Sequence, residues 1–246
     1  MFRERDILIG AKNFPFLPDI HKTFDDEENV HIVMEYIPNG TMQDFLKKHV
    51  MIGFKKDIVQ FYAAQIVIIL EYLQKLNVAH RDIKPENIML AGNNYLKLID
   101  FGEAKIVDAY ESEDIEDESD DEQQNVRQSM NRRTSVRSDA TSAFFRRVAK
   151  KDQSAKKKKQ PKTGTFVGTS LYQAPEMVSK SQSGLYTDLW ALGCIIFEMT
   201  FGKKMFGGKN MPEVFMKIQN REFKYPKTDD QNVIDLIDRL TEMNPH

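Results

Sequence analysis

The sequence predicts an α+β fold, in which a small strand-containing N-terminal part is followed by a mostly helical C-terminal part. Runs rich in β-branched and aromatic residues over 20–24 and 30–36 flank an acidic turn, which indicates two strands. Farther along, apolar residues recur at helical spacing over 57–76 and fill most of 185–201, and both stretches are too long for strands. With 41% hydrophobic residues, the chain can bury a substantial core.

The remaining elements follow from local signals. Residues 2–9 are predicted to be the end of a helix, and 41–49 a short helix after the turn Pro38-Asn39-Gly40. Residues 88–90 and 96–99 bracket Gly92-Asn93-Asn94 and predict a hairpin. Helices are also expected over 210–220 and 232–243. The apolar positions of the long helix are Ile58, Phe61, Tyr62, Ile66, Ile69, Leu73 and Leu76.

Composition bounds the class of protein. The formal net charge of −2 implies no bulk attraction to nucleic acid or membrane. The single cysteine, Cys194, excludes a disulfide within the chain and favours a reducing compartment. The charged start has no signal-peptide pattern, and no apolar run is long enough to span a bilayer. We therefore expect a protein that is not transmembrane and is cytoplasmic, with a nuclear location also open.

A stretch of different composition interrupts the chain at about 106–162. Residues 111–122 hold nine acids in twelve positions, and residues 127–159 carry twelve basic residues against two acids. Such a segment cannot bury enough apolar surface to offset its ordering entropy, so the sequence predicts a disordered insert. Its run Lys156-Lys157-Lys158-Lys159 is a weak candidate for binding anionic lipid or nucleic acid.

The segment His80-Arg81-Asp82-Ile83-Lys84-Pro85-Glu86-Asn87 carries the chemistry. Asp82 can orient a substrate hydroxyl and accept its proton, and Lys84 can neutralise charge on a transferring phosphoryl group. Asn87 offers a neutral oxygen ligand for Mg²⁺. Thirteen residues later, Asp100-Phe101-Gly102 supplies a second, anionic metal ligand. Asp82, Lys84, Asn87 and Asp100 are thus the predicted catalytic residues, and Asn87 and Asp100 the predicted metal ligands.

These two segments, in this order and at this spacing, resemble protein kinases. The stretches 61–67, 100–105 and 165–169 are similar to the AGC group of Ser/Thr kinases. Within that group, the start Arg3-Glu4-Arg5-Asp6 and the run 165–169 look most like the 3-phosphoinositide-dependent protein kinases. The resemblance covers 1–105 and 163–246. It implies a bilobal protein-kinase-like fold, with a partial N-lobe at 1–36 (the end of the αC helix and the two strands after it). A helical C-lobe, interrupted by the insert, is implied at 37–246.

The resemblance also implies roles for individual residues. Glu35 and Ile37 would bind the adenine of ATP through hinge backbone atoms, and Met89 would pack under the ring. Glu4 falls at the αC glutamate of the nucleotide site. Glu86, at the edge of that site, matches an acid that reads substrate arginines. ATP and Mg²⁺ are the implied cofactors, and Ser/Thr hydroxyls of protein substrates the implied acceptors.

Regulation is implied in the segment before Ala174-Pro175-Glu176. A phosphate on Thr165, added by an upstream kinase or by autophosphorylation, would pair with Arg81 and Lys105. Arg3 could reach the same phosphate from the αC helix. Thr169 would brace Asp82 and Lys84.

Departures from the family pattern keep two alternatives open. The sequence begins inside the αC helix and stops early, so no Gly-rich loop or ATP-binding lysine precedes Glu4. We therefore expect a truncated chain that is inactive by itself. One alternative is a non-catalytic scaffold or binding module. The other is a regulatory protein in which the insert binds acidic lipid or nucleic acid.

Overall fold

The chain forms a helix-rich C-terminal part beneath a small two-stranded sheet. The computed structural model describes residues 2–107, 169–180 and 183–243, and the predicted insert lies almost entirely outside this part. Helix α1 (Phe2–Gly10) comes first, followed by β1 (Ile20–Asp25) and β2 (Val30–Met34), which pair antiparallel. The division of the chain at residues 36 and 37 stays a prediction.

The turn between β1 and β2 is held by Asp26. Its Oδ1 accepts the N–H groups of Glu28 and Asn29 at 2.9 and 2.7 Å. The sequence extended the second strand to residue 36, whereas β2 ends at Met34. The pairing ends there because the partner strand begins at Ile20, and Pro18 just before it has no N–H to donate to a sheet.

The predicted helices at 41–49 and 57–76 are present. Helix α2 (Met42–Lys47) begins at a capping box, in which Thr41 and Asp44 bond each other's backbone N–H groups. Helix α3 (Lys56–Lys75) buries one face. The prediction was wrong for Phe61, whose side chain is 47% exposed while those of Val59 and Ala63 face the core. Its ring lies edge-on to the Tyr62 ring at 5.2 Å, at the border of the buried face.

Two hairpin-like pairs follow. Strand β3 (Val78–Ala79) pairs with β6 (Lys105–Ile106), and β4 (Ile88–Leu90) pairs with β5 (Leu96–Leu98) in the predicted hairpin. The β3–β6 pair was not predicted, because two residues are too few for an alternating pattern. It closes the base of residues 80–104, and it includes Ile106, which the sequence assigned to the insert.

The C-terminal helices are α4 (Pro175–Lys180), α5 (Tyr186–Phe201), α6 (Met211–Gln219) and α7 (Gln231–Leu240). Helix α5 is central, as its apolar composition predicted, and most of its residues are buried. Helix α7 reaches it closely at Gly193, where an added Cβ would lie 2.6 Å from Thr241 Cγ2. Within the described ranges, no helix is both long and apolar enough to cross a membrane.

Candidate active site

The Asp82 carboxylate lies in the loop between β3 and β4, where two side chains of the same loop hold it. Its Oδ2 accepts hydrogen bonds from Lys84 Nζ at 2.7 Å and from Asn87 Nδ2 at 2.9 Å. Asn87 Nδ2 also donates to the Asp82 carbonyl at 2.9 Å. Burial raises the pKa of Asp82, and the Lys84 ammonium and the Asn87 amide oppose the shift. A carboxylate with a raised pKa is better suited to accept a proton.

The same loop is anchored from the central helix by Asp188. The two oxygens of this buried carboxylate accept the backbone N–H groups of His80 and Arg81 at 2.7 and 2.8 Å. Arg81 has φ of +68°, a conformation that side chains with Cβ rarely adopt, so the anchor holds a strained turn. Burial raises the pKa of Asp188 to about 7, while the two N–H donors and the Arg81 charge oppose the shift.

Asp100 lies two residues after the end of β5 and close to Asn87. The N–H of Ile99 donates to the Asn87 carbonyl at 2.9 Å, which brings the two predicted metal ligands together. Asp100 has φ of +66°, and its Oδ1 accepts the Gly102 N–H at 3.3 Å. The Phe101 ring packs edge-on against the fully buried His80 ring, with centroids 4.7 Å apart.

The donor set at this point consists of hard oxygens. Asn87 uses its amide nitrogen on Asp82, so its Oδ1 is left to accept, and Asp100 adds a carboxylate. Amide and carboxylate oxygens are ligands that Mg²⁺ accepts, together with waters and phosphate oxygens. Across the described residues, no cluster of three or more His, Cys, Asp or Glu side chains could hold a metal ion by itself. The two side chains supply oxygens of the kind that Mg²⁺ accepts.

Glu4 lies against the same corner of the site. Burial raises the pKa of Glu4, the nearby Asp100 carboxylate adds to the shift, and the N–H of Phe101 opposes it. The structure thus brings Glu4 from helix α1 to Asp100.

The predicted adenine-binding residues lie where β2 leads into helix α2. Ile37 is buried. Met89 in β4 forms an isolated antiparallel β-bridge with Thr41. The Glu35 carboxylate is held by Lys97 of β5, whose Nζ lies 2.6 Å from Glu35 Oε2 and 3.2 Å from the Leu17 carbonyl. Lys97 therefore ties this segment to the β4–β5 hairpin.

Glu86 belongs to a polar cluster that the sequence did not reveal. Its Oε2 is buried and has no hydrogen-bond partner within the described ranges. Near it, the Tyr172 hydroxyl donates to Glu198 Oε2 at 2.5 Å, and Lys204 Nζ lies 2.9 Å from Glu198 Oε1 and also donates to Tyr172. Burial raises the pKa of Tyr172 well above its ordinary value, and the Glu198 and Glu86 carboxylates add to the shift.

The predicted regulatory residues are only partly described. Arg81 Nε donates to the Glu103 carbonyl at 2.6 Å and its Nη1 to Ser183 Oγ at 3.1 Å, while Lys105 lies in β6 opposite Ala79. Thr165 and the side chains of Arg3 and Thr169 lie outside the described part, as does the run 156–159.

Two contacts that the sequence analysis did not predict are nevertheless indicated by patterns in the sequence. Lys97 stands between Leu96 and Leu98, both buried, so strand alternation points its side chain to the opposite face, toward Glu35. Glu198 is the single acid in the last two turns of helix α5, where its neighbours are mostly apolar, and a buried acid implies a partner. Neither signal identifies the partner.

Comparison with known proteins agrees with this geometry. The family described as "Protein kinase domain" matches residues 1–128 and 148–246. The chain belongs to the protein kinase family. This kinase domain has the mixed α+β content that its sequence predicted, with the small sheet before the helical part. The family in general uses ATP and a divalent metal and acts on protein substrates.

The kinase domain is similar to several curated Ser/Thr kinases. It is 34% identical to 3-phosphoinositide-dependent protein kinase B of Dictyostelium discoideum over 243 residues, 99% of this chain and 22% of that protein. It is 29% identical to human 3-phosphoinositide-dependent protein kinase 1, over 97% of this chain and 34% of that protein. Serine/threonine-protein kinase ppk21 of Schizosaccharomyces pombe is also 29% identical, over 98% of this chain and 36% of its own length. The chain thus spans only a fifth to about a third of these relatives.

Proposed function

We propose that this chain carries the catalytic loop of a Ser/Thr protein kinase, which transfers the γ-phosphoryl group of ATP to Ser or Thr hydroxyls of protein substrates. The observation that carries the proposal is the Asp82 carboxylate, held by Lys84 and Asn87 beside Asp100. Asp82 would orient the substrate hydroxyl and accept its proton. Lys84, which is only 2.7 Å from Asp82, would sit where charge develops on the transferring group.

Asn87 Oδ1 and the Asp100 carboxylate would hold Mg²⁺. When bound, the metal would neutralise charge on the phosphates. The described residues act around it: Asn87 keeps its amide nitrogen on Asp82, and Asp188 holds the loop backbone in its strained turn.

Ile37 and Met89 would enclose the adenine, and Glu4 would complete the corner near Asp100. Substrate recognition is proposed at Glu86, whose carboxylate would pair with a basic side chain of the substrate.

The test is Asp82→Asn in the natural protein that contains this chain. Without a carboxylate to accept the proton, peptide phosphorylation should fall about 10²- to 10⁴-fold. Nucleotide binding, followed by calorimetry, should change little, since Asp82 is not a proposed metal ligand. Asp57→Asn, at an exposed acid of helix α3, is the matched control and should keep full activity. Equal phosphorylation by Asp82→Asn and the parent would refute the proposal and favour a non-catalytic module.

We also propose a regulatory phosphate on Thr165, bound by Arg81 and Lys105 with help from Arg3. Thr169 would brace Asp82 and Lys84. Charge-assisted hydrogen bonds contribute about 1.5–3 kcal/mol each before the ordering cost, enough to shift a loop equilibrium roughly ten- to a hundredfold. Activity of Thr165→Ala should fall by that factor, whereas deletion of residues 111–160 should leave the activity intact. The opposite pattern would make the insert the switch.

We also propose a cytoplasmic location, which can be tested by imaging the tagged protein.

A further inference from the structure

The loop between helices α2 and α3 exposes three consecutive large apolar side chains. Val50, Met51 and Ile52 are 57%, 76% and 81% exposed. Among the large apolar residues that the structure describes, only Tyr36 exceeds Ile52. Scattered exposed apolar residues are ordinary, but a contiguous group marks an interaction site. We refer to Val50, Met51 and Ile52 as the apolar tip.

The loop that carries the apolar tip is fixed to the end of the central helix. The Met51 N–H donates to the Gly202 carbonyl at 2.8 Å, and the Phe54 N–H to the Met199 carbonyl at 2.7 Å. Met51 has φ of +68°, and a Cβ on Gly202 would come within 2.7 Å of the Met51 nitrogen. Phe54 is buried while the apolar tip stays outside. The exposure therefore belongs to a defined loop conformation that costs strain.

Five lysines flank the apolar tip, either along the chain or next to the Gly202 that Met51 contacts. The lysines that precede it, follow it and come directly after Gly202 are Lys47, Lys48, Lys55, Lys56 and Lys203. All five are exposed. Lys56 is paired with Asp230 at 2.8 Å and Lys47 with Asp44 at 3.5 Å, and Asp57 is a further exposed acid.

The other lysines leave a positive rim. Lys48, Lys55 and Lys203 form no ion pair with any residue in the described ranges. Three exposed apolar side chains inside such a rim match the surface of an anionic membrane, which has an apolar interior beneath negatively charged headgroups. The aliphatic stems of the lysines can lie against the apolar interior while their ammonium groups stay among the headgroups.

We propose that the apolar tip docks on the surface of a bilayer rich in anionic phospholipid, with the lysine rim at the headgroups. Three apolar residues and a few lysines support reversible, peripheral attachment, not spanning. The proposal is independent of phosphoryl transfer, because none of these residues touches the Asp82 site.

The test is flotation of the 246-residue chain with vesicles of phosphatidylcholine alone or with about a third phosphatidylserine. All variants carry Lys156 to Lys159 changed to Gln, because that run is a second basic stretch that could bind the same lipid. The tip variant is Met51→Asn/Ile52→Gln, since Asn tolerates the positive φ that the loop requires. The matched control is Val67→Gln/Ile68→Gln, at residues of helix α3 that are 51% and 42% exposed.

The parent should bind the anionic vesicles, and the tip variant should bind at least tenfold more weakly. The vesicle affinity of Lys48→Gln/Lys55→Gln should fall roughly 25-fold, because each lysine near such a surface contributes about fivefold. This variant should also lose most of its dependence on phosphatidylserine. The α3 control should stay within about twofold of the parent, since interfacial docking requires the tip rather than general hydrophobicity. If the tip variant melts at a lower temperature than the parent, the single variant Ile52→Gln should be tested in its place. Ile52 is 81% exposed, so this change removes little buried surface.

Three results would overturn the proposal. The first is a parent that stays in the unbound fraction once residues 156–159 are changed, and the second is a tip variant that floats as well as the parent. The third is a control that loses as much binding as the tip variant, which would indicate general stickiness. A tip variant that turns a dimer into a monomer in sedimentation, with vesicle binding unchanged, would instead assign the apolar tip to contact between copies of this chain.

Discussion

Removing the Lys204 ammonium should destabilise the protein through the carboxylate it leaves behind. Glu198 in helix α5 has a side chain that is only 8% exposed, and Lys204 Nζ lies 2.9 Å from its Oε1. Lys204 also donates to Gln43 Oε1 at 3.0 Å and stands 4.8 Å over the Tyr172 ring. Lys204→Met keeps the aliphatic stem but leaves Glu198 with the Tyr172 hydroxyl as its remaining partner in this cluster.

The magnitude follows from burial. Breaking a fully buried ion pair by removing one partner costs about 3–5 kcal/mol. Lys204 is 31% exposed, so water reaches one side of the pair, and we expect a loss of about 2–3 kcal/mol. For a chain of this size that corresponds to a melting temperature lower by roughly 4–12 °C. Glu198→Gln/Lys204→Met removes both charges, and Gln can still accept the Tyr172 hydroxyl. The double variant should therefore recover most of the loss.

The free energy of unfolding can be followed by urea denaturation with the fluorescence of Trp190, the one tryptophan of the sequence, which is buried in helix α5. Lys217→Met is the matched control, because Lys217 pairs with Glu213 at nearly the same distance, 2.8 Å, but Glu213 is 31% exposed. That change should cost about 0–1 kcal/mol. A Lys204→Met loss no larger than the control, or a double variant as unstable as the single one, would refute the reasoning.

Two further predictions concern the site. Burial lowers the pKa of His80 to about 4, below the usual 6.5, so the unfolded chain binds the extra proton between these values and His80 makes stability rise with pH across them. Relative to His80→Phe, which keeps an aromatic ring against Phe101, the parent should gain about 3 kcal/mol between pH 4 and 6.5 in urea titrations; parallel pH curves would contradict this. Lys97→Met should weaken ATP binding several-fold in calorimetry by freeing Glu35, with a stability loss under about 1 kcal/mol, whereas Lys75→Met, in an exposed helical pair, should leave binding unchanged.

Much of the fold could be predicted because its signals are local. The apolar periodicity of α3, the capping residues Thr41 and Asn210, and the turn at Gly92-Asn93-Asn94 each act within a few residues. The same holds for the chemistry of the loop at 80–87, whose Asp82, Lys84 and Asn87 meet because they are near in sequence. Strand ends such as Met34 do not follow from the local sequence, because they depend on where the partner strand begins.

Tertiary structure alone decided the contacts between residues far apart in the chain. Glu86 and Glu198 are separated by 112 positions, and no pattern along the sequence indicates that Tyr172 and Lys204 complete their cluster. The exposure of Phe61 and of the apolar tip likewise cannot be predicted from residue type, because large apolar residues are usually buried. The physical reason is that periodicity and capping are set by neighbours along the chain, whereas the partner of a buried charge and the cover over an apolar side chain are set by which elements pack together in space.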